Sequence, residues 1–239
     1  MNDKHIFRSF DRDLESIQAR VLRLGGLVEV ALEQAAKALQ THDVSLAETV
    51  RKGDCHVDDL DHAIRVDAAR LLAMWSPTAS DLRSILCVMD ISSHLERCGD
   101  HARNIARRTI IMAEEGNLHG PLLALRRMSR FVKTMLGDAL DAYVQRDLVK
   151  ARDVIARDIE ADQFYDTIFR SLLMHMMENH RNVEVGMHLH FIAKHIERVG
   201  DHATAIAEQT IYLVTGGRPA DDRPKHTIMT PEIQESVRI

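Results

Sequence analysis

The strongest constraint on this chain is a nine-residue string that occurs twice. His94-Leu95-Glu96-Arg97-Cys98-Gly99-Asp100-His101-Ala102 returns as His195-Ile196-Glu197-Arg198-Val199-Gly200-Asp201-His202-Ala203. Seven of the nine positions are identical, and the second copy lies 101 residues after the first. In each copy a glutamate precedes an aspartate by four residues, one helical turn, so both carboxylates project to the same side. Like charges at that spacing weaken a helix. A cation held between them reverses the sign of that interaction.

Apolar periodicity sets both strings inside long helices. Phe10, Leu14, Ile17, Val21, Leu24, Val28, Leu32, Ala35 and Leu39 recur in steps of three and four, the mark of a one-sided helix. Gly25-Gly26 interrupts this stripe and predicts a kink or a close helix contact. Asp43 reads as the N-cap of a second helix over about 44–75. Pro77 among Ser76, Thr78 and Ser80 announces a third, which runs to about Glu115. Pro121 opens a second set, with helical patterns at about 121–146, 147–179 and 182–214. A three-helix unit therefore occurs twice. The second helices align at an offset of 104 (Asp54 with Asp158, Asp58 with Asp162, Ile64 with Ile168) and the third helices at 101. The change falls in the connection around Trp75–Asp81, as a duplication allows. The predicted division is residues 1–117, residues 118–215, and a mobile tail 216–239 in which Gly216-Gly217 precedes Pro219, Pro224 and Pro231.

Composition narrows the class. Aromatic residues make up only 4% of the chain, while Ala, Leu and Met are plentiful, which favours an all-α fold. A net charge of −5 supplies no global basic field for nucleic acid. Cys55, Cys87 and Cys98 are odd in number and lack zinc or redox-pair spacing, the pattern of a reduced cytoplasmic protein. No signal peptide fits the N-terminus, and no apolar run reaches the ~18 residues of a spanning helix. Membrane association is expected only through partners. No phosphate loop, nucleophile elbow or Ser/His/Asp arrangement stands out.

The acids carry the functional expectation. On a helical wheel Glu96 and Asp100 lie about 40° apart. They sit roughly 110° or more from the centre of the apolar side formed by Val88, Ile91, Leu95, Ala102, Ile105 and Ala106, and are expected on an outer or flanking surface. The second helices add Asp54/Asp58 and Asp158/Asp162, and antiparallel packing brings two pairs together in each half. Hard oxygen donors without thiolates suit Mg²⁺, Mn²⁺ or iron. Solvated acids are also the commonest feature of a helix face, and Arg103, three residues after Asp100, offers an ordinary ion-pair partner. A metal-free helical scaffold is therefore an alternative. So is a ferritin-like di-iron enzyme, although that class uses Glu-x-x-His and here Gly99 and Gly200 stand at the third position after each glutamate. Those glycines fit either the approach of a metal cluster or a helix–helix contact. His94, His101, His195 and His202 point away from the acids and are expected as surface residues or outer contacts. Met174, Met176, Met177 and Met187 read as core filler.

Up to about residue 215 the chain resembles the PhoU family of phosphate-specific transport system accessory proteins. The resemblance rests on Phe10–Glu29 (FDRDLESIQARVLRLGGLVE), Pro77–Arg83 (PTASDLR) and the two Glu-Arg-x-Gly-Asp strings, in this order and at these distances. It implies two tandem three-helix bundles related by internal pseudo-symmetry. It also implies surface clusters of divalent or trivalent metal (iron, manganese or magnesium), bound by Asp54/Asp58 with Glu96/Asp100 and by Asp158/Asp162 with Glu197/Asp201. Third helices of this family often carry Asn four residues beyond the aspartate. Asn104 fits and Ala205 does not, which implies weaker binding or a different nuclearity at the second site. The resemblance further implies a homodimeric cytoplasmic adaptor, not an enzyme, peripheral to the inner membrane. Such an adaptor restrains the phosphate-starvation response and phosphate uptake, between the ATPase subunit of the Pst phosphate ABC transporter and a PhoR-type sensor histidine kinase.

Overall fold

The computed structural model describes the backbone of residues 3–114 and 121–217. It contains six α-helices: α1 (Asp3–Thr41), α2 (Val44–Trp75), α3 (Ala79–Glu114), α4 (Leu122–Gln145), α5 (Leu148–Glu178) and α6 (Val183–Thr215). A single 3₁₀ turn at His180–Asn182 leads into α6. Beyond Gly217 the predicted tail lies outside the described residues.

Local chemistry sets the boundaries. The Asp43 side chain accepts the Leu46 N–H at 2.9 Å and starts α2. Asp147 does the same for α5, accepting from Val149 and Lys150 at 2.8 and 3.0 Å. These carboxylates satisfy donors that have no partner within the helix. At the other end, α6 stops at Gly216, whose φ of 75° turns the chain left-handed while its N–H donates to the Tyr212 carbonyl.

The helices α1–α3 form one bundle and α4–α6 the other. α3 packs on α1 and α2, and α6 packs on α4 and α5. α3 and α6 also pack on each other, and α1 meets α4 across the same seam. The predicted stripe of α1 is the buried one: Val21, Leu24, Val28 and Ala35 are fully enclosed, and Leu14 packs at the margin. α1 runs through Gly25-Gly26 without a break. A Cβ on Gly25 would strike Leu140 of α4, so the glycine serves contact between the bundles. The methionine expectation fails in part. Met176 packs against the core, but Met174 and Met177 are 62% and 74% exposed and Met187 is also open.

The two glycines of the repeated string differ. A Cβ on Gly99 would lie 2.9 Å from Cγ1 of Val57, a stiff, buried side chain on α2. A Cβ on Gly200 meets nothing nearer than 3.6 Å. Gly99→Ala should therefore lower stability by about 1–2 kcal/mol, through overpacking that outweighs its helix propensity. Gly200→Ala should be neutral or raise Tm by about 2 °C. Thermal unfolding of the two variants beside the parent tests this; equal losses in both would refute the distinction.

Candidate metal faces

α2 and α3 hold the first acidic face. Asp54 is buried, with 7% of its surface exposed, whereas Asp58 is open to solvent. Asp54 lies under α3 beside Gly99, where a Cβ would sit 3.6 Å from its Oδ1, an ordinary contact. Arg103 of α3 reaches across to donate to Asp54, and its second terminal nitrogen lies 2.6 Å from Asp100. Arg97 flanks the outside, 3.4 Å from Glu96 and 3.2 Å from Asp100. Burial foremost, then the charges of Asp58 and Asp100, hold the Asp54 carboxyl above the usual range, against the pull of Arg103. Glu96 is raised by burial and then by Asp100, Asp61 and Asp58. All four sequence-predicted acids of this half thus share one electrostatic field.

Asp61 belongs to the same face, and sequence reasoning missed it. It is buried, accepts the Ser92 hydroxyl at 2.6 Å and pairs with Arg65 at 2.7 Å. The signal was present, since Asp54, Asp58 and Asp61 follow helical spacing. Its aligned partner in the second half is Tyr165, so the repeat gave it no support.

α5 and α6 hold the second face. Glu197 is buried, at 9% exposure. One of its oxygens accepts from Lys194 at 2.6 Å. The other, Oε2, is enclosed and has no hydrogen-bond partner. The Lys194 ammonium also lies 5.1 Å from the ring centroid of Tyr165 on α5. Asp158 accepts the buried Thr204 hydroxyl at 3.1 Å. Asp201 keeps an open side to solvent. Yet partial desolvation, and then Glu197, Asp158 and Asp162, push its carboxyl up to about 7 against the opposing charge of Lys194.

Glu96 and Asp100 lie half-buried on a flank, where the wheel set them, but the surface placement implied for the whole acid set needs correction. Asp54 and Glu197 are buried, because a flank that misses the core of its own helix is covered by the next helix of the bundle. Among the described residues, no three metal-ligating side chains converge as a bound ion would draw them. The donor chemistry of the second face fits a hard cation, since it is all carboxylate and has one enclosed oxygen without a donor. On the first face a guanidinium already bridges Asp54 and Asp100.

The histidines are also misplaced by the sequence reading. α3 and α6 cross antiparallel, and their four string histidines meet in the seam. Nδ1 of His94 lies 3.1 Å from Nδ1 of His202, and Nδ1 of His195 lies 3.3 Å from Nδ1 of His101. The His101 and His202 rings stack with centroids 5.5 Å apart. Each short pair joins the first histidine of one string to the second histidine of the other, so the pseudo-symmetry maps one pair onto the other. A wheel shows only that these residues avoid the acids; the second bundle lies on that side. Each N···N contact needs one ring as acceptor. Burial first, then neighbouring imidazoles and the charge of Arg198 and Arg97, lower His101 to about 3 and His202 to about 4. Burial, with Arg108 and Arg198, lowers His195 to about 4.

Two tandem helical bundles with acidic flanks and a packed histidine seam define an all-helical protein built on an internal repeat. Both halves match the PhoU domain, over residues 21–109 and 125–210, and the chain belongs to the PhoU family, whose members are accessory regulatory proteins and not enzymes. Family membership removes the ferritin-like alternative. The chain is 39% identical over 227 residues to the phosphate-specific transport system accessory protein PhoU homolog of Caulobacter vibrioides, covering 95% of this chain and 99% of that one. The homolog of Rhizobium meliloti is also 39% identical, over 94% of this chain and 95% of its own. The crystal structure of PhoU from Pseudomonas aeruginosa superposes with a TM-score of 0.85 at 36% identity, covering 87% of this chain and all of that one. The phosphate transport system regulatory protein PhoU of Streptococcus pneumoniae gives a TM-score of 0.81 at 30% identity, over 88% and 99% of the two chains.

The seam makes a prediction about acid. The folded-state pKa of the buried imidazoles lies below the unfolded value of about 6.5. Their contribution to stability is therefore complete above about pH 6.5 and is lost as pH falls toward 4, because the unfolded chain takes up protons that the folded one refuses. Asp201, raised in the fold, works in the opposite direction between about 4 and 7. His101→Gln should thus reduce proton uptake on unfolding at pH 5 by about one per chain. The slope of unfolding free energy against pH, measured in chelator-treated protein, reports this, and an unchanged slope would contradict it.

Proposed function

We propose that this protein is an adaptor that restrains the phosphate-starvation response and phosphate uptake. It couples the ATPase subunit of a Pst phosphate ABC transporter to a PhoR-type sensor histidine kinase. The observation that carries this reading is the near full-length relationship, through both repeats, to accessory and regulatory proteins of phosphate transport. No described helix is long and apolar enough to cross a membrane, so in this reading the protein works at the cytoplasmic side of the inner membrane by docking. Phe169, Leu173, Met177 and Phe191 remain exposed at one end of α5 and α6. A cluster of that kind supports a protein contact there, with a transporter subunit, a kinase or the second copy of a homodimer.

Metal is the second part of the reading. Asp158, Asp162, Glu197 and Asp201 would hold a hard divalent or trivalent cation such as iron, manganese or magnesium. The ion would supply the positive charge that this grouped, partly buried set of acids needs. Glu197 would orient it from the buried side and Asp201 from the solvent side. The role is structural and electrostatic: it would fix α5 to α6 and set the charge of a surface available to partners.

Deleting the gene should leave phosphate-responsive genes switched on in phosphate-rich medium, and re-expression should switch them off. Affinity capture of the tagged protein should retain the transporter ATPase and the kinase. Unchanged reporter expression in the deletion strain would refute the regulatory role.

A further inference from the structure

The two acidic faces part company at one aligned position. At the offset that superposes the two strings, Arg103 stands opposite Thr204. On the first face the guanidinium of Arg103 joins α3 to α2, with one terminal nitrogen on Asp54 and the other 2.6 Å from Asp100. It spans the same carboxylates, across the same two helices, that a bound cation would join. A planar fork of donors suits two carboxylates, and its tether keeps it at hand. Thr204 is buried, neutral and short, and its hydroxyl reaches only Asp158. The cation of the second face, Lys194, comes from α6 itself, three residues before Glu197, and binds only one of the two Glu197 oxygens. The other oxygen is enclosed and without a donor. A lysine on a flexible four-carbon stem can leave toward solvent, and Lys194 is partly exposed.

We propose that the duplicated faces have divided their roles: Arg103 closes the first as a built-in counter-ion, and the second alone takes a hard multivalent cation. This rests on the metal part of the proposed function. It reverses the expectation drawn from Asn104 and Ala205, by which the second face was the weaker one. It also assigns Arg103 a positioning role, holding α2 to α3 by an ionic bridge in every state of the protein, whereas α5 and α6 share only the neutral Thr204–Asp158 hydrogen bond at the corresponding place until an ion is bound. Metal supply then acts on one bundle and leaves the other unchanged.

The test uses the full chain, stripped with chelator, reloaded with Mn²⁺ or with iron, desalted and measured by elemental analysis. Circular dichroism confirms that each variant stays helical. Glu197→Gln with Asp201→Asn should remove the metal, and Glu96→Gln with Asp100→Asn should leave it in place. Arg103→Thr should open the first face and raise metal content about twofold, whereas Thr204→Arg should abolish binding. If the first-face pair loses as much metal as the second-face pair, or Arg103→Thr binds no more than the parent, the division of roles is wrong while metal binding stands. If the parent chain binds neither ion, the metal reading itself falls.

Discussion

The packing of α3 on α6 is the contact on which the rest of the molecule depends. Each of these helices is also the centre of its own bundle, so each must bury most of its circumference. α3 does so with Val88, Ile91, Leu95, Ala102, Ile105 and Ala106, and α6 with Leu189, Ile192, Ala193, Ile196, Ala203 and Ile206. The four imidazoles lie in the same seam, arranged as two symmetric pairs. Buried imidazole is tolerated there because it stays neutral and each ring finds a partner. Arg108 closes the seam further along α3, 4.1 Å over the ring of Phe191.

The seam in turn dictates where the acids go. Once one side of α3 faces α6 and another faces α1, the remaining flank turns toward α2. The acid pairs of α2 and α3 then meet across a narrow gap, which Gly99 narrows further by admitting Val57. Grouped carboxylates of this kind raise one another's pKa and cost stability unless a positive charge joins them. The protein has two solutions to that problem. In the first half an arginine of the chain itself bridges the helices. In the second half a lysine satisfies one oxygen of Glu197, and the other remains open for an ion.

Much of this was legible before any coordinates, for identifiable reasons. Asp43 and Asp147 announce helix starts because a carboxylate one residue before a helix satisfies orphan backbone donors wherever the helix lies in space. The α1 stripe from Phe10 to Leu39 names its own buried side because helical period and apolar spacing agree. Gly25-Gly26 signalled a kink or a close helix contact because glycine interrupts so strong a stripe; Gly25 makes that contact, against Leu140 of α4, while Gly26 is exposed with no neighbour. The methionines of α5 were misjudged for the opposite reason. Apolar character at Met174 and Met177 says that they can be buried, while the open end of the bundle leaves them exposed.

The sequence by itself determined six helices in two like units and the acids that share a turn, because those follow from period, spacing and local capping; the family followed from the likeness of Phe10–Glu29, Pro77–Arg83 and the two Glu-Arg-x-Gly-Asp strings. Tertiary structure alone decided that His94 and His202 touch, that His101 and His195 touch, and that Arg103 reaches Asp54 on another helix. Those contacts depend on the crossing of helices far apart in the chain. A helical wheel fixes the direction of each side chain about its own axis, and only packing fixes what stands in that direction.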